Sequence, residues 1–402
     1  MSFQQGLSGL NAAAKNLDVI GNNVANSNTA GFKQGVAAFG DVFAASLGGS
    51  SGTQVGIGTE ITGVNQQFGQ GNITVTNNPL DIAISGRGFF RMSDNGVISY
   101  SRNGGFSLDK NGYIVGGTGQ NLTGFQAVNG AIVPGVLTTL QLSSADLLPK
   151  ATAGATVGAN LASTDPILPT AGFVATNPAT YNFSTASTAY DTLGQSHTMT
   201  YYFNKTAANT WDTNVYIDGA PANGAGVSTL TFNASGSYLG ATNLVKTAAL
   251  ANGAAALSIT MDYTKMTQFG SGFGVNSLSQ DGYASGQLSG FNIGSDGVIL
   301  GRYSNGQGQK LGQVALSNFT NPQGLAPLGG SMWAETAGSG VPLTGAPGTA
   351  SLGALQSSAK EDSNVDLTAE LVNMITAQRV YQANAQSIKT QDQVLQTLVN
   401  LK

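Results

Sequence analysis

In the last 49 residues of this 402-residue chain, apolar side chains recur in alternating steps of three and four. Leu371, Met374, Tyr381, Ala385, Ile388, Leu395 and Val399 follow this spacing, with Gln378 and Asp392 as polar interruptions. Residues three and four apart share one helix face, and a repeat averaging 3.5 residues forms a coiled-coil seam. No glycine follows Gly353 and every proline lies between Pro79 and Pro347, so nothing here breaks a helix. Asp366 is placed to cap it, Glu370 lies near the positive end of its dipole and Lys402 at the negative end. From Leu367 to about Asn400 the helix would run about 50 Å at 1.5 Å per residue.

The N-terminus repeats the pattern on a smaller scale. Phe3, Leu7, Leu10, Ala14, Leu17 and Val24 keep the three-four spacing, broken only by Gly21. The polar run Asn22, Asn23, Asn26, Ser27, Asn28 and then Gly31 ends this helix. A seam on a helix at the chain's end has no core of its own, so it must meet the other terminal helix or a neighbouring copy. Both seams are therefore expected to be assembly surfaces, with the two ends paired as a coiled coil.

Between the helices the period drops to two. Ile82-Ala83-Ile84, Gly88-Phe89-Phe90-Arg91-Met92, Val97-Ile98-Ser99-Tyr100 and Thr198-Met199-Thr200-Tyr201-Tyr202-Phe203 read as strands. Asn-Gly or Asp-Gly pairs at 95, 103, 111, 129, 218, 281, 296 and 305 favour the positive φ values of tight hairpins, which predicts antiparallel β. A small, polar, proline-bearing stretch begins near Lys150 and the shift ends near Asp281. The expected architecture is multidomain and nested: a helical domain from 1–27 and 363–402, a connecting segment 28–69, an inner β domain from 70–144 and 286–362, and an outer inserted β domain 145–285.

Composition narrows the chemistry. Charged residues are 9% of the chain against roughly 25% in typical soluble proteins, so the surface is built from Ser, Thr, Asn, Gln and Gly. A net charge of −4 with 16 Lys and Arg supplies no basic stripe for nucleic acid. Cysteine is absent and His197 is the single histidine, which excludes disulfides and thiolate sites and leaves little for metal or acid-base work. No apolar run reaches the 18 residues of a membrane span. The glycine-rich Gly56-Ile57-Gly58 and Gly270 to Gly274 read as turns, as does Asp109-Lys110-Asn111-Gly112. Neither an enzyme nor a cofactor is expected.

Leu17-Asp18-Val19-Ile20-Gly21-Asn22-Asn23-Val24-Ala25-Asn26-Ser27-Asn28-Thr29-Ala30-Gly31-Phe32-Lys33 resembles the N-terminal signature of the flagellar rod and hook family of axial proteins. The run from Ser363, Asn364, Val365, Asp366 and Leu367 to Ile375, followed by Ala377-Gln378-Arg379, resembles the same family's C-terminal signature. Asn78 to Ile84, Gly88 to Arg91 and Tyr100 to Gly104 are similar to the hook members. The resemblance implies a helical homopolymer, the curved hollow joint between rod and filament, located outside the cell in the flagellar basal body-hook complex. It further implies export by the flagellar type III apparatus, and the hook cap, distal rod, hook-filament junction proteins and export gate as partners. Phe39-Gly40-Asp41-Val42-Phe43 matches the element by which early export substrates meet that gate; packing of Phe39 and Phe43 on a short helical turn is the competing reading.

Two other functions compete. A distal rod protein of the same family would be expected to lack most of 145–285. A secreted β-rich adhesin shares the composition but has no reason to end in helical seams.

Overall fold

The computed structural model describes residues 2–42, 56–143, 145–168, 170–222 and 226–400. They fall into two compact units, one from Met1–Ser143, Gly290–Gly301 and Gly308–Lys402, the other from Ser144–Ser289 and Arg302–Gln307. Each terminus is one helix, α1 (Ser2–Ala25) and α2 (Leu367–Asn400), and the remainder is mostly strand. The Asp366 carboxylate accepts from the amides of Thr368 at 2.9 Å and Ala369 at 3.1 Å, which caps α2 as the sequence predicts.

The segment after α1 forms a hairpin, β1 (Gly35–Val42) with β2 (Gly58–Gln66), whose antiparallel register slips at Ala38/Phe39. The hairpin lies along α1. Asn23 exchanges two hydrogen bonds with the Gly35 backbone at 2.8 and 2.9 Å, while near the other end Gln5 donates to the Gly56 carbonyl at 2.7 Å. Phe39 is thus a strand residue at a bulge, which overturns the short helical turn; Phe43 lies outside the described residues.

The β part of the first unit is built around Asn121–Val128, which pairs antiparallel with Ala131–Thr139, Gly308–Val314 and Phe89–Asp94. Ile82, Ile84, Phe90, Ile114, Leu122 and Leu316 form its main core. In a second, aromatic core Phe89 meets Phe319, Trp333 and Phe68 edge to face, and Phe68, which follows β2, meets Trp333 in the same way. At Asn95-Gly96 both residues have positive φ (47° and 94°), closing the hairpin between Phe89–Asp94 and Val97–Ser101. Asn103-Gly104 makes no such turn. Its glycine lies against the backbone carbonyl of Ile82, where a Cβ would sit 1.6 Å from the oxygen.

The second unit packs a sheet of Phe183–Tyr190, Ser196–Ala207, Thr210–Ile217 and Ser228–Phe232 against one centred on Gly154–Ala162, sharing Val157, Leu161, Met199, Tyr201, Phe203, Trp211 and Ile259 as core. Gly154–Ala162 runs parallel to Leu257–Asp262 and Thr267–Phe269, so the expectation of purely antiparallel β needs correcting here. Its burial is nearly continuous, as a strand covered on both faces requires. His197, on the strand Ser196–Ala207, lies between the carboxylates of Asp218 (2.6 Å) and Asp191 (3.2 Å).

Candidate assembly interface

The two terminal helices pack antiparallel. At one end Asn23 reaches Glu370 at 3.4 Å; at the other Gly6 faces Ile388. The covered stripe of α1 runs through Gly6, Ala13 and Ile20, seven residues apart, and Asn23 extends it. On α2, Glu370 and Ala377 are buried, again seven apart, and Asn384 is half-buried. A seven-residue period is present, but it is carried by small and polar residues. At Gly9 an added Cβ would lie 2.9 Å from the Asn384 side chain, so glycine sets how closely the helices approach.

The predicted seam lies mostly off this contact. Phe3 and Leu7 are 46% and 43% exposed, and Leu10, Leu17 and Val24 are half-buried. On α2, Met374 and Ile388 are half-buried while Leu371, Tyr381, Leu395 and Val399 face solvent. The structure therefore corrects the reading in which these side chains pair the ends within one chain. The covered stripe of α1 holds Gly6 and Ala13 where the helices pack, which leaves the larger Phe3 and Leu7 uncovered.

The signature residues join the helices to the β unit. Asn26 donates to the Asn22 carbonyl at 3.0 Å and accepts from Thr29, closing the end of α1. Gly31 (φ 70°) packs so tightly on Asn103 that a Cβ would lie 2.4 Å from its amide nitrogen. Asn364 accepts from the Gln34 amide at 2.8 Å and donates to the Gln67 carbonyl at 2.7 Å, tying the entry to α2 to both sides of the hairpin. Phe32 is half-buried and lines a cavity of about 350 Å³ with Val19, Val64, Phe68 and Leu325. Leu367 is exposed.

Sequence reasoning missed a buried ionic cluster behind these anchors. Glu361, on the strand Ala359–Glu361 that pairs with Ile73–Val75, accepts from Lys33 Nζ at 2.6 Å, the Gly71 amide at 2.9 Å and Arg102 Nη1 at 3.1 Å. Its backbone carbonyl takes the Gly31 amide at 2.8 Å. Burial pulls the Lys33 ammonium below the usual lysine range, and Glu361 opposes that shift. No local pattern in the sequence marks these three residues for burial, and buried charges persist only when paired. No helix among the described residues is long and apolar enough to cross a membrane.

Known proteins match this arrangement from end to end. Family models match residues 3–33 (flagella basal body rod protein), 83–150 (flagellar hook protein FlgE/F/G D1 domain), 160–283 (flagellar basal body protein FlaE D2 domain) and 356–401 (flagellar basal body rod FlgEFG protein C-terminal). The flagellar hook protein FlgE of Escherichia coli strain K12 is 44% identical over 410 residues, covering 100% of both chains. That of Borreliella burgdorferi is 32% identical, covering 100% of this chain and 99% of its own. The crystal structure of Helicobacter pylori flagellar hook protein FlgE2 shares the fold, with a TM-score of 0.54 at 16% identity over 72% of this chain and 99% of that one. With two terminal helices anchored on a β unit and full-length relatives of one name, the chain belongs to the bacterial flagellar hook protein family.

Proposed function

We propose that this chain is the structural subunit of the flagellar hook, and that it polymerises through the faces its terminal helices leave uncovered. The observation that carries the reading is the set of apolar residues that α2 leaves open to solvent in the single chain: Leu371, Val372, Ile375, Val394, Leu395 and Val399. Exposed apolar surface of this extent on a helix calls for a partner. A patch that meets a different patch on a copy of itself generates an open helical polymer. Full-length similarity to hook relatives favours a hook subunit over a distal rod protein.

The helices, paired further as coiled coils between copies, form the wall of a tube that joins rod to filament. The β1–β2 hairpin acts as the connecting element, and the outer β domain at 145–285 sets curvature through polar, water-bridged contacts that exchange at small cost. Type III export, with Phe39 and Phe43 at the gate, and contact with the hook cap, distal rod and junction proteins belong to the same reading. Electron microscopy of the purified chain tests it: the full chain should form short curved tubes, removal of 366–402 should abolish them, and removal of 145–285 should leave straight ones. Globular particles under all conditions would contradict it.

A further inference from the structure

A cavity of about 310 Å³ opens where α1, α2 and β1 meet, lined by Asn16, Ile20, Asn23, Val36, Asn373 and Glu370 among others. Glu370 is 2% exposed. One carboxylate oxygen accepts from Gln34 and Asn23; the other, Oε2, is buried with no hydrogen-bond partner. A buried anionic oxygen without a donor is strongly unfavourable, so the site is built to receive one. The other carboxylates of the two helices are engaged: Asp18 pairs with Lys15 at 3.4 Å and Asp392 accepts from Gln396 at 3.0 Å.

The matching donor lies on the same helix, facing away. Arg379 follows Glu370 by nine positions, about two and a half helical turns, so it projects from the opposite side of α2. It is exposed and, among the described residues, makes no hydrogen bond or ion pair. Val372 and Ile375, seven and four positions earlier on that side, are 58% and 51% exposed. An arginine set in an apolar stripe loses water when the stripe is covered, and its planar fork suits a carboxylate. Donor and acceptor on opposite sides of one helix cannot meet within a chain; they can meet head to tail between copies.

We propose that in the assembled tube the Arg379 guanidinium of one copy enters this cavity on a neighbouring copy and pairs with its Glu370, setting the register between subunits. The proposal rests on the hook reading and names the partner of that interface. Because the chain has no cysteine, Asn373→Cys at the cavity rim and Gln382→Cys, one exposed turn beyond Arg379 on the same side of α2, can be mixed in one polymer and treated with a short bismaleimide. Cross-linked dimers are expected in tubes, not in dilute monomer, and not from either variant alone. Arg379→Gln should raise the critical concentration for assembly at least tenfold while leaving the monomer's circular dichroism unchanged, and Arg379→Lys should recover part of the loss. Tubes of Arg379→Gln forming at the unmodified critical concentration would mean that water or a free cation satisfies Glu370, and would overturn the pairing, as would mixed tubes that do not cross-link. If the unmodified chain forms no tubes, the hook reading beneath the proposal fails instead.

Discussion

Lys33 and Glu361 stand 328 positions apart in the chain and meet at 2.6 Å, with both side chains fully removed from solvent. Lys33 ends the N-terminal signature and Glu361 precedes the C-terminal one, so this pair closes the chain's two ends onto the β unit. Arg102 completes the cluster, donating also to the Gly86 carbonyl at 2.8 Å and lying 5.5 Å over the Phe89 ring.

Removing one partner from a buried pair leaves an uncompensated charge. Glu361→Ala should therefore destabilise the first unit by about 3–5 kcal/mol in urea unfolding. Replacing Lys33 and Glu361 together by apolar residues should cost much less than the sum of the single changes, and the double-mutant cycle measures the difference.

Helix approach at Gly9 makes a second prediction. Gly9→Leu should separate α1 from α2 and cost about 1–3 kcal/mol by overpacking against Asn384. Gly21 has nothing within 4 Å of an added Cβ, so Gly21→Ala should instead stabilise α1 by about 0.5–1 kcal/mol. Helicity by circular dichroism through thermal unfolding should move in opposite directions for the two variants.

The single histidine predicts a pH dependence confined to the second unit. Burial alone would lower the value of His197, but hydrogen bonds from its two ring nitrogens to Asp218 and Asp191 outweigh burial and raise it. The Asp191 carboxyl is held down at about 2 by hydrogen bonds from Asn252, the Gln195 amide and His197, which overcome the opposing effect of burial. A raised histidine contributes stability that is fully present below its unfolded value of about 6.5 and is lost as pH rises through the folded value. The Asp191 contribution runs the other way, present above its unfolded value and lost as pH falls towards 2. Titration of the one imidazole by NMR should give a midpoint above 6.5, and His197→Gln should flatten the alkaline fall in the melting temperature.

Each unit carries one tryptophan. Trp211 donates to Gln268 at 3.0 Å in the second unit, and Trp333 donates to Gln66 of β2 at 2.5 Å in the first. Trp211→Phe and Trp333→Phe variants should therefore report two fluorescence transitions separately, and Glu361→Ala should shift the Trp333 transition alone.

Local chemistry was readable where it depends on neighbours in sequence. Asp366 caps α2, the Asn95-Gly96 pair turns a hairpin, and the alternation at Met199, Tyr201 and Phe203 puts those side chains into one core. The hairpin of β1 and β2 was not readable. Its strands are short of strong alternation, and it is held by single side chains such as Asn23 and Asn364 that reach across from the helices. The parallel pairing of Gly154–Ala162 was hidden for a similar reason, since its partners lie about a hundred residues downstream.

By itself the sequence determined that both ends are helical, that the middle is β, and, through two terminal signatures, to which family the chain belongs. These properties rest on periodicity, capping and turn chemistry, which act within a few residues. Only the tertiary structure decided which helix faces are covered and which remain for a neighbour, because that choice depends on shape at contacts such as Gly9 with Asn384. It also decided that Glu361 gathers Lys33 and Arg102. A buried charge is tolerable only where distant partners converge on it, and no local pattern records that convergence.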